Sequence, residues 1–232
     1  MLLHVYAILN SKPSELELQS LGISNLRLIE ASGLFALVSN ASEQTEPTKL
    51  AIAALEHNAV IERALEFSSL LPARFTAPLE EHLILTQLKH NQAAYQTALD
   101  RVRNALEFAL RAEVAAITPE PVANNTSSGR AYLESRRTQF NLEHQNRTKL
   151  EAIAASLEQQ LGSLAREVLH RYEPNLYRGC YLVCRDNTEV FKHAFEVIQP
   201  SFQDDLEQLG LHGPFAPYSF ATLENTATEG VL

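Results

Sequence analysis

The 232-residue chain has no tryptophan, one methionine, two cysteines and eight glycines. Two thiols cannot build the disulfide framework of a small secreted domain. Cys180 and Cys184 stand four apart in an expected strand, about 13 Å at ~3.3 Å per residue, too far to bridge each other. As a metal pair they have no second pair at ligand spacing. They read as small apolar side chains, and the compartment as the reducing cytoplasm. No Gly-x-Gly occurs, which excludes the dinucleotide fingerprint, and there is no P-loop. Gly-x-Ser-x-Gly and His-Glu-x-x-His are missing too. None of these familiar nucleotide, hydrolase or metal motifs is therefore available, and no metal site is expected.

Positive charge is scarce as well. Nineteen Lys and Arg against 28 Asp and Glu give a net charge of −9. Such a chain has no sequence-wide reason to sit on nucleic acid or anionic lipid. No apolar run approaches the roughly 18 residues of a membrane span. Residues 1–9 are apolar, but they lack the basic start and cleavage site of a signal peptide.

What is present is ordinary core material: 45% of residues are apolar, enough for a packed α+β protein. The expected domains are 1–100 and 101–232. Residues 2–9 read as a strand, and 15–21 as a short helix ending near Gly22. Strands at 25–30 and 34–39 flank the turn Ala31-Ser32-Gly33. Apolar residues at Leu50, Ala53, Ala54, Val60, Ile61, Ala64, Leu65 and Phe67 predict a helix over 49–69. Leu70-Leu71-Pro72-Ala73-Arg74-Phe75 suits an edge strand. A second helix is expected over 79–99, interrupted near His90-Asn91. The order is β-α-β-β-α-β, ferredoxin-like, with helices covering one sheet face.

Strict alternation predicts a strand over 106–114, followed by a Pro/Asn/Ser loop over 118–129. One long helix is expected over about 130–172. Its stripe is Leu150, Ile153, Leu157, Leu161, Leu164 and Val168, and its polar first half projects from the body. A strand at 177–185, a helix ending at Pro200, and a strand at 206–212 follow. Gly213-Pro214-Phe215-Ala216-Pro217 reads as a rigid turn before Tyr218-Ser219-Phe220. The last ten residues read as a frayed end.

Most charged clusters have plain readings. Glu81-His82, Asp204-Asp205 and the Arg130/Arg136/Arg137/Arg147 stripe are read as solvated or partner-facing surface. Two segments ask for more. Arg74 sits in an apolar strand and needs a partner where buried. The segment 213–220 packs two prolines and three aromatics into eight residues, suited equally to closing a core and to docking a partner.

These residues match a known pattern. Gly213-Pro214-Phe215-Ala216-Pro217-Tyr218-Ser219-Phe220 resembles the Gly-Pro-Trp-Pro-Pro-Tyr-Ser-Phe signature of the gas vesicle accessory proteins GvpF and GvpL. Leu71-Pro72-Ala73-Arg74-Phe75 resembles that family's Leu-Pro-x-Arg-Phe-Gly, with His57 and Val60 upstream. Gly129-Arg130-Ala131-Tyr132-Leu133 is similar to its Gly-x-x-Tyr-Leu. Tyr181-Leu182-Val183 and then Phe191 and Phe195 fit in order. Thr76 replaces Gly, and Phe215 and Ala216 replace Trp and Pro, departures that bear on the GvpF or GvpL subgroup. The resemblance implies two α+β domains, no enzymatic activity and no cofactor. It implies a cytoplasmic, gas vesicle-associated role in vesicle formation, with the shell protein GvpA and other accessory Gvp proteins as partners. Gly213, Pro214, Phe215, Pro217, Tyr218, Phe220, Arg74 and Phe75 are the candidate docking or structural residues. The alternatives are a small-ligand regulatory module of tandem ferredoxin-like domains, and an enzyme joining His57, Arg74 and a carboxylate.

Overall fold

The computed structural model describes residues 1–41, 47–115 and 129–223. The chain divides into two units, Met1–Glu107 with the segment from Pro214 onward, and Phe108–Gly213. The sequence expectation of 1–100 and 101–232 left that final segment in the second domain. Here it packs with the first.

The first unit runs β1 (Leu2–Leu9), α1 (Glu15–Ser20), β2 (Arg27–Ala31), β3 (Leu34–Asn40), α2 (Pro47–Leu65) and β4 (Leu70–Pro72). The sheet order β2-β3-β1-β4 with antiparallel pairs is the ferredoxin-like arrangement. Local chemistry sets its corners. Ser14 caps α1 in a capping box with Glu17. Ala31 pairs with Leu34, and Ser32 and Gly33 both have positive φ, as a two-residue hairpin turn requires. A short β5 (Leu79–Glu80) pairs with the start of β1. Helices α3 (Glu81–His90) and α4 (Gln92–Arg101) follow, broken at Asn91 as the sequence suggests.

One sheet face presents Ala7, Leu9 and Leu37 to Leu21 and to Val60, Ile61, Ala64 and Leu65 of α2. The alternate residues Leu3, Ile8, Leu34, Ala36 and Val38 are equally buried. Buried Ile84, Leu88, Tyr95 and Leu99 come from α3 and α4, and α3 packs on β2. This corrects the expectation of one covered face. It also explains why the strands read as near-continuous apolar runs rather than clean alternation.

The second unit repeats the plan. Its order is β6 (Ala105–Glu113), α5 (Gly129–Leu161), β7 (Glu167–Glu173), β8 (Leu176–Cys184), α6 (Thr188–Ile198) and β9 (Gln208–Phe215). The sheet order β7-β8-β6-β9 matches β2-β3-β1-β4 strand for strand. The expected 130–172 helix is therefore corrected. It stops at Leu161, and Gly162–Leu164 makes a 3₁₀ turn. Residues 167–173 pair with β8 through a two-residue turn, Pro174-Asn175, in which Asn175 has φ 61°. Leu150, Ile153, Leu157 and Leu161 enter a core with Phe108, Tyr181, Phe191 and Phe195, and Leu164 and Val168 pack against it. The expected turn at 213–217 is also revised: Gly213, Pro214 and Phe215 extend β9. β9 is the edge of its sheet, where a proline is tolerated. The loop expected at 118–129, up to residue 128, and the tail from residue 224 lie outside the described residues.

Candidate functional site

In β1 the register against β3 shifts between Val5 and Ala7. Tyr6 is thus an extra residue, and such a bulge re-aims side chains. His4 and Tyr6 both face α2. Their rings lie 4.9 Å apart, and that of His57 in α2 is 4.8 Å from His4 and 5.2 Å from Tyr6. Phe75 closes the group at 5.0 Å from His4.

Hydrogen bonds order this cluster. His57 Nε2 donates to the Ala73 carbonyl at 2.8 Å, because a carbonyl only accepts. His57 Nδ1 is then the acceptor of the 2.7 Å contact with His4 Nε2, so His4 Nε2 carries its proton. Tyr6 and Ser39 hydroxyls share a 3.0 Å bond. Desolvation holds both histidines neutral: His4 is lowered to about 4, aided by His57, and His57 is lowered despite its bond to Ala73.

Next to the cluster opens a cavity of about 1080 Å³. Apolar Met1, Leu2, Leu50, Ala53, Phe75 and Pro78 line it together with His4, Tyr6, Ser39 and Glu56. It arises where the stripe of α2 outruns its packing. His57, Val60, Ile61 and Ala64 are buried, whereas on the same stripe Ala53, one turn earlier, is half-buried and Leu50, two turns earlier, is 40% exposed.

The segment after β9 forms a second feature of the first unit. Ala216 and Pro217 are buried and Phe220 is fully so. Ser219 donates from N and Oγ to the buried Glu107 carboxylate at 2.8 and 2.7 Å. Tyr218 donates to Asn58 Oδ1 at 3.1 Å, and burial raises its hydroxyl to about 12. Arg101 lies over the Phe220 ring at 5.7 Å. Phe215 instead points out, 41% exposed.

The sequence candidates therefore separate. Phe75 joins the histidine cluster. Arg74 is exposed beyond the end of β4, so its expected placement in an apolar strand is corrected. Of His57, Arg74 and Glu56, only Glu56 lines the cavity. Gly213, Pro214 and Phe215 are exposed, whereas Pro217 and Phe220 close a core. Cys180 and Cys184 are half-buried thiols. Among the described residues no group of three or more His, Cys, Asp or Glu is arranged to hold a metal ion, and no helix is long and apolar enough to cross a membrane. His4 and Tyr6 were missed. Their signal is two polar-tipped aromatics two apart in an otherwise aliphatic strand.

A family model described as gas vesicle synthesis protein GvpL/GvpF matches residues 2–222. The chain belongs to the GvpL/GvpF family. The match takes in both units, the His4–His57 cluster and the segment at 213–220. Two solved structures are similar to this family member. GvpF from Anabaena sp. PCC7120 aligns with a TM-score of 0.74 at 19% identity, over 98% of this chain and 99% of that chain. GvpF from Microcystis aeruginosa aligns with a TM-score of 0.70 at 17% identity, over 96% of this chain and 99% of that one. Their likeness establishes the two-unit α+β fold. No curated protein matches in sequence.

Proposed function

We propose that this chain is a non-enzymatic accessory protein of gas vesicle formation, working in the cytoplasm and at the vesicle by binding the shell protein GvpA and other accessory Gvp proteins. The observation that carries the reading is membership of the gas vesicle synthesis family across residues 2–222. The surface chemistry supports it. A very apolar shell subunit needs its face covered before assembly. This acidic chain keeps apolar side chains in water at Leu50, Ile52, Leu55, Phe75 and Phe215. The proposed contact residues are Phe75 and Phe215, with Gly213 and Pro214 holding Phe215 out. Pro217, Tyr218 and Phe220 anchor that segment.

The test is a pulldown of GvpA, with a second accessory Gvp protein alongside. Phe215→Ser is expected to weaken capture about 5- to 30-fold, the effect of losing 1–2 kcal/mol of anchor contact, with the melting temperature unchanged. Capture of neither protein by the wild type sinks the reading.

A further inference from the structure

We propose that the cavity beside His4 and His57 is the docking site for an apolar peptide segment of the protein partner, one that presents a single neutral hydrogen-bond donor to His4 Nδ1. This deepens the proposed function and rests on it for the identity of the partner.

The acceptor follows from geometry. The Ala73 carbonyl fixes the His57 proton on Nε2, and His57 Nδ1 in turn takes the proton of His4 Nε2. That leaves His4 Nδ1 with a lone pair, and nothing among the described residues hydrogen-bonds to it. The two preceding bonds polarise the ring and strengthen this acceptor. Depressed proton affinity keeps His4 neutral at pH 7, so the atom accepts rather than donates. A hydroxyl or amide N–H is its complement, and an anion is not.

The walls select the rest of the ligand. The cavity, at about 1080 Å³, is at the top of the range for binding sites, about 300–1,000 Å³. Among the described residues Glu56 is the only charged side chain lining it, so a Lys or Arg at the edge of the segment complements the mouth. The rim argues for a peptide over a small molecule. Met1 is 69%, Leu2 52% and Phe75 37% exposed. A buried small ligand would leave those groups in water, whereas a segment lying across the mouth covers them. The α2 stripe points the same way, since Leu50 and Ala53 extend the core-facing line along the cavity wall.

The test uses the full chain and 1-N-phenylnaphthylamine, a neutral apolar probe with one N–H. Its fluorescence is expected to rise saturably with the wild type. Ala53→Phe, which fills the cavity, is expected to weaken binding at least about tenfold. His4→Phe removes the acceptor together with the Nε2 proton that His57 takes, and is expected to cost about two- to tenfold. Leu50→Asp at the mouth is the second variant should Ala53→Phe fold poorly, as judged by near-ultraviolet circular dichroism. Absence of saturable binding, or binding indifferent to these variants, overturns the site. Overlapping peptides of the shell protein then compete with the probe. Displacement supports the assignment. Shell-protein capture that leaves the probe in place, and that Leu50→Asp does not weaken, overturns the occupant while the proposed function stands. No capture of the shell protein at all overturns this occupant, and only where the second accessory protein is not captured either does the proposed function fall with it, whatever the probe does.

Discussion

At the scale of single residues, the protein's polar interior is concentrated in a few side chains whose roles are separable. His4 and His57 fold as neutral bases, with His4 near 4 against an ordinary value of 6.5. The unfolded chain therefore binds more protons between those values, and stability rises with pH across that interval. It is complete above about pH 6.5 and is lost as pH falls toward 4. Urea denaturation at pH 7.5 and at pH 5 is expected to show a lower midpoint at pH 5. His4→Phe is expected to shrink that difference; an undiminished difference would place the titrating group elsewhere. Glu107 works differently. Two Ser219 donors converge on its buried carboxylate, so Glu107→Ala leaves two half-buried donors without this acceptor. The expected loss is about 1–3 kcal/mol, and Glu107→Gln, which retains one acceptor oxygen, is expected to recover part of it in the same denaturation assay.

Elements show how much the chain announces and how much only tertiary context decides. Gly179 sits inside β8, where a Cβ would meet Tyr177 Oη at 2.6 Å and Tyr181 Cε2 at 2.9 Å. Both rings are fully buried, and Tyr177 accepts or donates to His170 Nδ1 at 2.8 Å. Neither can step aside freely. Gly179→Ala is expected to cost about 1–3 kcal/mol by overpacking, read as a lowered thermal midpoint; an unchanged midpoint would mean that the tyrosine pair yields. Most elements of both units were legible before the structure, because turns, caps and stripes carry local signals. Strand β7 was not. Leu164 and Val168 continue the stripe of α5 at helical spacing, and they do pack on the same core. Periodicity alone thus reads straight through the helix end. The deciding signals were Gly162 and the Pro174-Asn175 turn, which outweigh spacing because they fix backbone angles. The cavity was less legible still. Neither the bulge at Tyr6 nor the gap beneath Ala53 has a sequence signature, since each depends on how β1 meets β3 and α2.

For the whole molecule, the path of the chain matters more than the count of its elements. Two β-α-β-β-α-β units share one strand order, yet the second is inserted in the first: the chain leaves at Glu107, returns at Pro214 and completes the first unit with its own end. Stability of the first unit thus depends on residues more than a hundred positions from its other parts. A chain stopped after Gly213 would lose Ala216 from a core that includes Ile61 and Leu65. It would also lose Phe220 from beneath Arg101 and both donors to Glu107. The second core, built from Phe108, Leu157, Tyr181, Phe191 and their neighbours, includes none of the described residues beyond 213. Uncovering the buried Phe220 site alone is expected to cost about 3–5 kcal/mol, a large part of the stability of a domain this size. Hydrogen exchange would resolve the outcome by region. In the truncated chain, amides of α2 and β1 are expected to exchange much faster, while those of β8 and the end of α5 keep their protection. Equal loss across both units would mean that they fold as one cooperative block, and full protection throughout would reduce the segment after β9 to a docking feature with no share in the fold.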